Sequence, residues 1–170
     1  MDISTISRAL DQIDGLLNDV GDRWDAPTPC ADWSVRALAN HLVNTTGQFA
    51  TMASGRTVDW GAAQPGHDDP AVEFRTRRDA LLAALEADPD SVPEGMLAGE
   101  LAVHTWDLAT ALGRGSSDLD PRLAETGYDF MSAELTQDRR GEAFAPQQPA
   151  PADADAYERL AAFAGRTISR

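Results

Sequence analysis

The chain has 170 residues, 42% of them hydrophobic, and a formal net charge of −14 from 28 acidic and 14 basic side chains. That length supports one domain, 1–170, with a real core. The apolar share excludes whole-chain disorder, and the acidity makes nucleic acid or an anionic membrane surface a poor partner.

A single cysteine excludes an internal disulfide framework. No charged region followed by an apolar core opens the chain, so no signal peptide is expected. No apolar run approaches the roughly 20 residues of a membrane span. The expectation is a soluble, cytoplasmic protein.

In chain order, Ile3, Ile6, Leu10, Ile13, Leu16 and Leu17 fall at helical spacing, and the first helix is expected to end near Gly21. Trp24 to Trp33 contains Pro27 and Pro29 and reads as a loop holding Cys30. Ser34 is a suitable N-cap for a second helix, with Trp33 positioned to staple onto Leu38. Leu38, His41, Leu42 and Thr45 share a face of that helix. In Gly47 to Asp69 the glycines and Pro65 predict that most of the stretch is a long crossover after the helix ends, with His67 and Trp60 in it. Asp69-Pro70 is a cap followed by proline at the first helical position. Phe74, Leu81, Leu82 and Leu85 carry the third helix to about Asp88.

Pro89 and Pro93 precede a fourth helix that stops at Gly113. Asp120-Pro121 starts a fifth, through about Thr136. Gln137 to Ala152 reads as a Pro-, Gln- and Ala-rich linker. Asp153 or Asp155 caps a short last helix closing near Gly165. No strand pattern appears, so the expected fold is all-α: a four-helix bundle with one long crossover and extra short C-terminal helices.

The fourth helix carries the chemistry. Apart from Glu100, His104 and Asp107, Met96 to Leu112 holds only apolar, small or threonine residues. On a wheel with Glu100 at zero, His104 falls near 40° and Asp107 near −20°, at about 100° per residue. All three groups therefore lie within an apolar stripe, where a carboxylate needs a partner. One partner is a divalent metal held by Glu100, His104 and His41 of the second helix, a three-ligand set with an open position. The other is a buried Glu–His ion pair, which needs no third group. Zinc, nickel, iron and manganese all suit these ligand types. Asp107 is a candidate to orient a ligand or act as a base, or to pair with Arg36 or another cation. Cys30 reads as a small packed residue, and Trp24, Trp33 and Trp106 as core. Trp60 is a candidate pocket lid, and Arg75, Arg77 and Arg78 read as a solvated helix face.

Two stretches resemble a known family. Thr28-Pro29-Cys30-Ala31-Asp32-Trp33-Ser34-Val35-Arg36, followed by Leu38 and His41-Leu42-Val43, is similar to the first signature of the DinB-like, mycothiol-dependent maleylpyruvate isomerase N-terminal domain. Glu100 to Ala109 is similar to its second, and Gly165-Arg166 resembles the end of that domain. The resemblance implies a four-helix core and a divalent metal, usually zinc, on His41, Glu100 and His104. It also implies chemistry with a low-molecular-weight thiol such as mycothiol, with Arg166 as a contact to that thiol.

The first expectation is thus a metalloenzyme that presents a metal-bound thiolate to an electrophile, for transfer or isomerisation, with Asp107 as the catalytic residue managing a proton. A non-catalytic metal- or ligand-binding protein that sequesters an electrophile is the second. A metal-dependent hydrolase using bound water is the third. The partners expected are a small-molecule electrophile and a thiol, with a homodimer as the assembly.

Overall fold

The computed structural model describes every residue except Ala31, Gln137, Arg139, residues 141–143 and Arg170. It is all-helical, with six α-helices and no strand among the described residues.

Helix α1 spans Ile3–Asn18, and the Asp2 carboxylate accepts from the Ser4 and Thr5 amides at its start. Of the predicted stripe, Ile6, Leu10, Ile13, Leu16 and Leu17 are buried and Ile3 is half-buried; Thr5 and Ala9 join the buried set. A single 3₁₀ turn, Arg23–Asp25, follows. Helix α2 spans Val35–Ala53 and is capped by the Ser34 hydroxyl, which accepts from the Ala37 amide.

The helix runs past Gly47, into the stretch read mostly as crossover. The buried positions continue through Thr46, Phe49, Ala50 and Ala53, so core packing carries the helix past a residue of low helix propensity. The bare Gly47 backbone also receives the Arg77 side chain of the next helix; a Cβ there would lie 3.2 Å from Arg77 Cδ. The crossover is therefore residues 54–69. It is pinned to α2 by two hydrogen bonds of His67, its amide to Asn40 Oδ1 at 3.0 Å and its Nε2 with Asn44 Oδ1 at 2.9 Å.

Helix α3 spans Pro70–Ala87 behind the Asp69 cap. Its arginines are not simply solvated: Arg75 and Arg78 both reach Asp14 of α1, at 3.3 and 3.7 Å. Helix α4 spans Glu94–Ala111 and ends before Gly113, whose φ of +69° suits glycine. Of its residues, Leu97 to Gly99 and Leu101 to Ala109 are all buried. A helix covered on all sides in this way is central. It packs against α1 and α2 on one side and against two later helices on the other.

Those are α5, Pro121–Glu134, and α6, Ala156–Phe163. Asp120 caps α5. Asp155, not Asp153, caps α6, in a reciprocal box with Glu158. The close approach of α5 to α4 is a glycine contact: a Cβ on Gly127 would meet Gly99 Cα at 2.7 Å. Part of the predicted linker from Gln137 onward lies outside the described residues. Its Arg140 is buried, donating to the carbonyls of Ala145 and Phe163 at 3.1 and 2.8 Å. No helix among the described residues is long and apolar enough to cross a membrane.

Candidate metal centre

Helices α2 and α4 pack side by side. That packing brings His41 to the pair Glu100 and His104, one turn apart on α4. The three ligand-type atoms all lie within 4.8 Å of one another. His41 Nε2 is 2.7 Å from Glu100 Oε1, and His104 Nε2 is 3.5 Å from the same oxygen. Burial pushes the Glu100 carboxyl up, but His104 and the hydrogen bond and charge of His41 outweigh it and hold the group at about 2. The cluster has one carboxylate, kept ionised, and two imidazoles turned toward it.

The donor set fits a divalent transition metal. Zinc–ligand distances of about 2.0–2.2 Å place tetrahedral ligand atoms about 3.3–3.5 Å apart. The His104–Glu100 separation already matches. The His41–Glu100 contact is a hydrogen bond that must open by under an ångström, with His41 Nε2 giving up its proton. Metal affinity therefore depends on pH.

His104 is prepared for this role from behind. Its Nδ1–H donates to Asp107 Oδ2 at 3.1 Å, which leaves the Nε2 lone pair facing Glu100. A carboxylate behind a ligating imidazole fixes its tautomer and orientation. Asp107 is fully buried, and the cation that accompanies it is Arg166, not Arg36. Arg166 Nε and Nη2 donate to its two oxygens at 3.2 and 2.9 Å. Burial raises the Asp107 carboxyl, but the His104 and Arg166 hydrogen bonds win and hold it below the usual carboxylate range. Arg36 lies over the Trp24 ring instead, 4.9 Å from its centroid.

Arg166 comes from the end of α6. Its amide donates to Ala161 O at 2.9 Å, directly after Gly165, whose φ is +96°. A Cβ at Gly165 would meet Ala145 O at 2.7 Å. Glycine at that point is what lets the chain turn the guanidinium inward.

One wall residue is missed by the sequence reading. Trp33 is not plain core: its ring lies 4.7 Å from that of His41 and stacks on that of His104 at 5.8 Å and 22°. The loop before α2 holds it there. Thr28 N–H donates to Trp33 O at 3.1 Å and Val35 N–H to Ala26 O at 2.9 Å. No local pattern signals this, because Trp33 precedes the Ser34 cap and lies outside α2. Cys30 is half-buried near the Arg166–Asp107 pair; burial raises its thiol and Arg166 opposes the rise. Trp106 is core as expected. Trp60 is 43% exposed and meets Phe49 edge-on at 5.3 Å. His67 stays with Asn40 and Asn44.

Three cavities border the centre: one of about 260 Å³, between α2 and the crossover, touches Trp33 and His41, and the other two meet at Glu100. One, of about 350 Å³, lies between α4 and α5 and reaches Glu100 and His104. The other, of about 270 Å³, lies between α2, α4 and the crossover, with His41, Glu100 and Trp60 in its wall.

The sequence model of the family described as "Mycothiol maleylpyruvate isomerase N-terminal domain" matches residues 6–109. This chain belongs to that family. The match takes in α1 through most of α4, and so His41, Glu100, His104 and Asp107, with the DinB-like helical fold that the family shares. Helices α5 and α6 and Arg166 lie beyond it. Two proteins of Mycobacterium tuberculosis, the uncharacterized proteins Rv0738 (strain ATCC 25618 / H37Rv) and MT0763 (strain CDC 1551 / Oshkosh), are each 31% identical to the chain over 174 residues. Each match covers 95% of this chain and 95% of the relative. No solved structure gives a significant match.

Proposed function

We propose that the protein is a cytoplasmic, zinc-dependent enzyme that activates a low-molecular-weight thiol of the mycothiol type for transfer to, or isomerisation of, a small electrophile. The observation that carries this reading is the three-donor cluster of His41, Glu100 and His104 facing the two cavities that meet at Glu100. Three protein ligands beside open space are the arrangement of a catalytic rather than a structural zinc. A bound zinc ion would act as a Lewis acid and lower the pKa of a thiol in its open position.

The chain's own residues do the rest. Glu100 supplies one negative charge, so the loaded centre keeps a net positive charge that favours a thiolate. Trp33 stacks on the His104 imidazole and meets that of His41 at a tilt, which limits their rotation. Asp107 holds the His104 Nδ1–H. It borders neither of the two cavities, so in this reading it acts through His104 as a positioning residue. Arg166 keeps Asp107 ionised and in place. Thr45 Oγ1 lies 3.3 Å from His41 Nε2 and borders the same cavity.

The test is elemental analysis of the purified protein and of His41→Ala and His104→Ala, followed by a thiol-dependence screen. One metal per chain is expected in the wild type and a loss of most of it in each variant. Electrophiles should react faster with mycothiol plus metal-loaded protein than with mycothiol plus metal-free protein. Full metal content in either variant removes that residue from the site. Equal rates across the panel favour the non-catalytic binding reading.

A further inference from the structure

The two cavities that meet at Glu100 differ in chemistry. The smaller one presents Thr45, Gln48 and Gln64 beside His41 and Glu100, with Trp60 and Phe49 at one end. The larger is walled by Met96, Val103, Phe130, Met131, Leu135 and Phe144, and polar groups enter it only as Glu100, His104 and Glu134 among the described residues. Met96 and Glu100 belong to both and form the partition. Four of the six apolar walls come from α5 and the segment after it, outside the span that matches the family.

From this lining we infer that the larger cavity is a binding site for an uncharged, predominantly apolar small molecule, a two-ring aromatic or an alkyl compound of similar bulk, and that this molecule is the electrophile. The thiol's polar body then lies in the other cavity. The binding stands on the cavity itself; the assignment as electrophile rests on the metal-and-thiol reading above.

Size agrees. At about 350 Å³ the cavity is at the lower end of the roughly 300–1,000 Å³ typical of small-molecule sites. Chemistry agrees as well. Two methionines give a wall that adapts to a flat or a branched guest. Charge selects against a dicarboxylate. The Glu100 carboxylate borders the cavity, and the nearby guanidinium of Arg166 is committed to Asp107. An anionic group away from the metal would meet apolar walls and like charge, where burial of an ion is unfavourable.

N-Phenyl-1-naphthylamine, a neutral dye whose emission rises in apolar surroundings, is the probe. It is titrated into metal-free and zinc-loaded protein, with fumarate as the competing dicarboxylate. Saturable binding of one dye per chain is expected in both forms, with no displacement by millimolar fumarate. Leu135 is half-buried at the cavity wall. Leu135→Trp fills the space and should weaken the dye at least tenfold.

The proposal is overturned by absent or non-saturable dye binding. Unchanged affinity in a folded Leu135→Trp protein, or fumarate displacing the dye from the wild type, overturns it as well. Metal retained in His41→Ala would overturn the metal reading and leave dye binding untouched. Lost dye binding in a fully metal-loaded protein would overturn this inference alone.

Discussion

Arg166→Met removes a charge and keeps most of the side chain's length. In the folded protein it leaves Asp107 with no cation, fully buried, its remaining partner being His104 at 3.1 Å. Removing one member of a buried pair destabilises by about 3–5 kcal/mol, because the other is left buried and uncompensated. At about 2–4 °C per kcal/mol for a chain of this size, the melting temperature should fall by about 6–20 °C. The assay is thermal and urea unfolding of chelator-treated protein, so that metal binding does not enter the balance. The double variant Arg166→Met/Asp107→Leu removes both charges and should recover most of the loss. It also takes away the acceptor behind His104, and so should bind zinc about 10–100-fold more weakly while folding normally. A loss below about 1 kcal/mol in Arg166→Met would refute the reasoning, as would a double variant no more stable than the single one.

Gly127→Ala places a Cβ 2.7 Å from Gly99 Cα and 2.9 Å from Gly99 N; backbone cannot give way as a side chain does, so thermal unfolding should show a loss of about 1–3 kcal/mol. Gly15→Ala in α1, with nothing within 4 Å, should instead gain about 0.5–1 kcal/mol in the same measurement. Asp120 accepts from the Arg122 side chain and amide and from Arg8, which hold its carboxyl well below the usual carboxylate range. Its folded pKa is depressed, so its contribution is complete above the unfolded value near about 3.9 and is lost as the pH falls toward the folded value. The stability gap between wild type and Asp120→Ala, about 1 kcal/mol for the lost cap, should be flat from pH 7 to 5 and narrow below pH 4 in urea titrations; a gap constant down to pH 2 would contradict this.

Helix positions were legible because local rules act on neighbours in sequence. Caps at Ser34, Asp69 and Asp120, the glycine stop at Gly113 and the apolar spacing of α1 all appear in the structure where the chain places them. Where α2 ends was less legible, because propensity is weak beside burial: Phe49 and Ala53 keep it helical through Gly47, whose missing side chain makes room for Arg77. The clustering of Glu100 with His104 was legible too, since one helical turn fixes it. That His41 joins them follows from spacing only as a candidate, and its 2.7 Å contact with Glu100 is a product of α2–α4 packing.

Other features depend on contacts that no local pattern encodes. Arg166 lies 59 residues from Asp107, and the turn at Gly165 that joins them depends on the close approach of Ala145. Trp33 became part of the centre because two loop hydrogen bonds hold it over both imidazoles. The apolar cavity exists because α5 meets α4 at bare glycines and the segment after α5 brings in Leu135 and Phe144. The sequence by itself determined the helices and nominated the ligands, through the 3.6-residue period and the capping residues. Only the tertiary structure decided which cation answers Asp107 and what chemistry faces the centre, because those depend on distances between segments that the chain brings together only on folding.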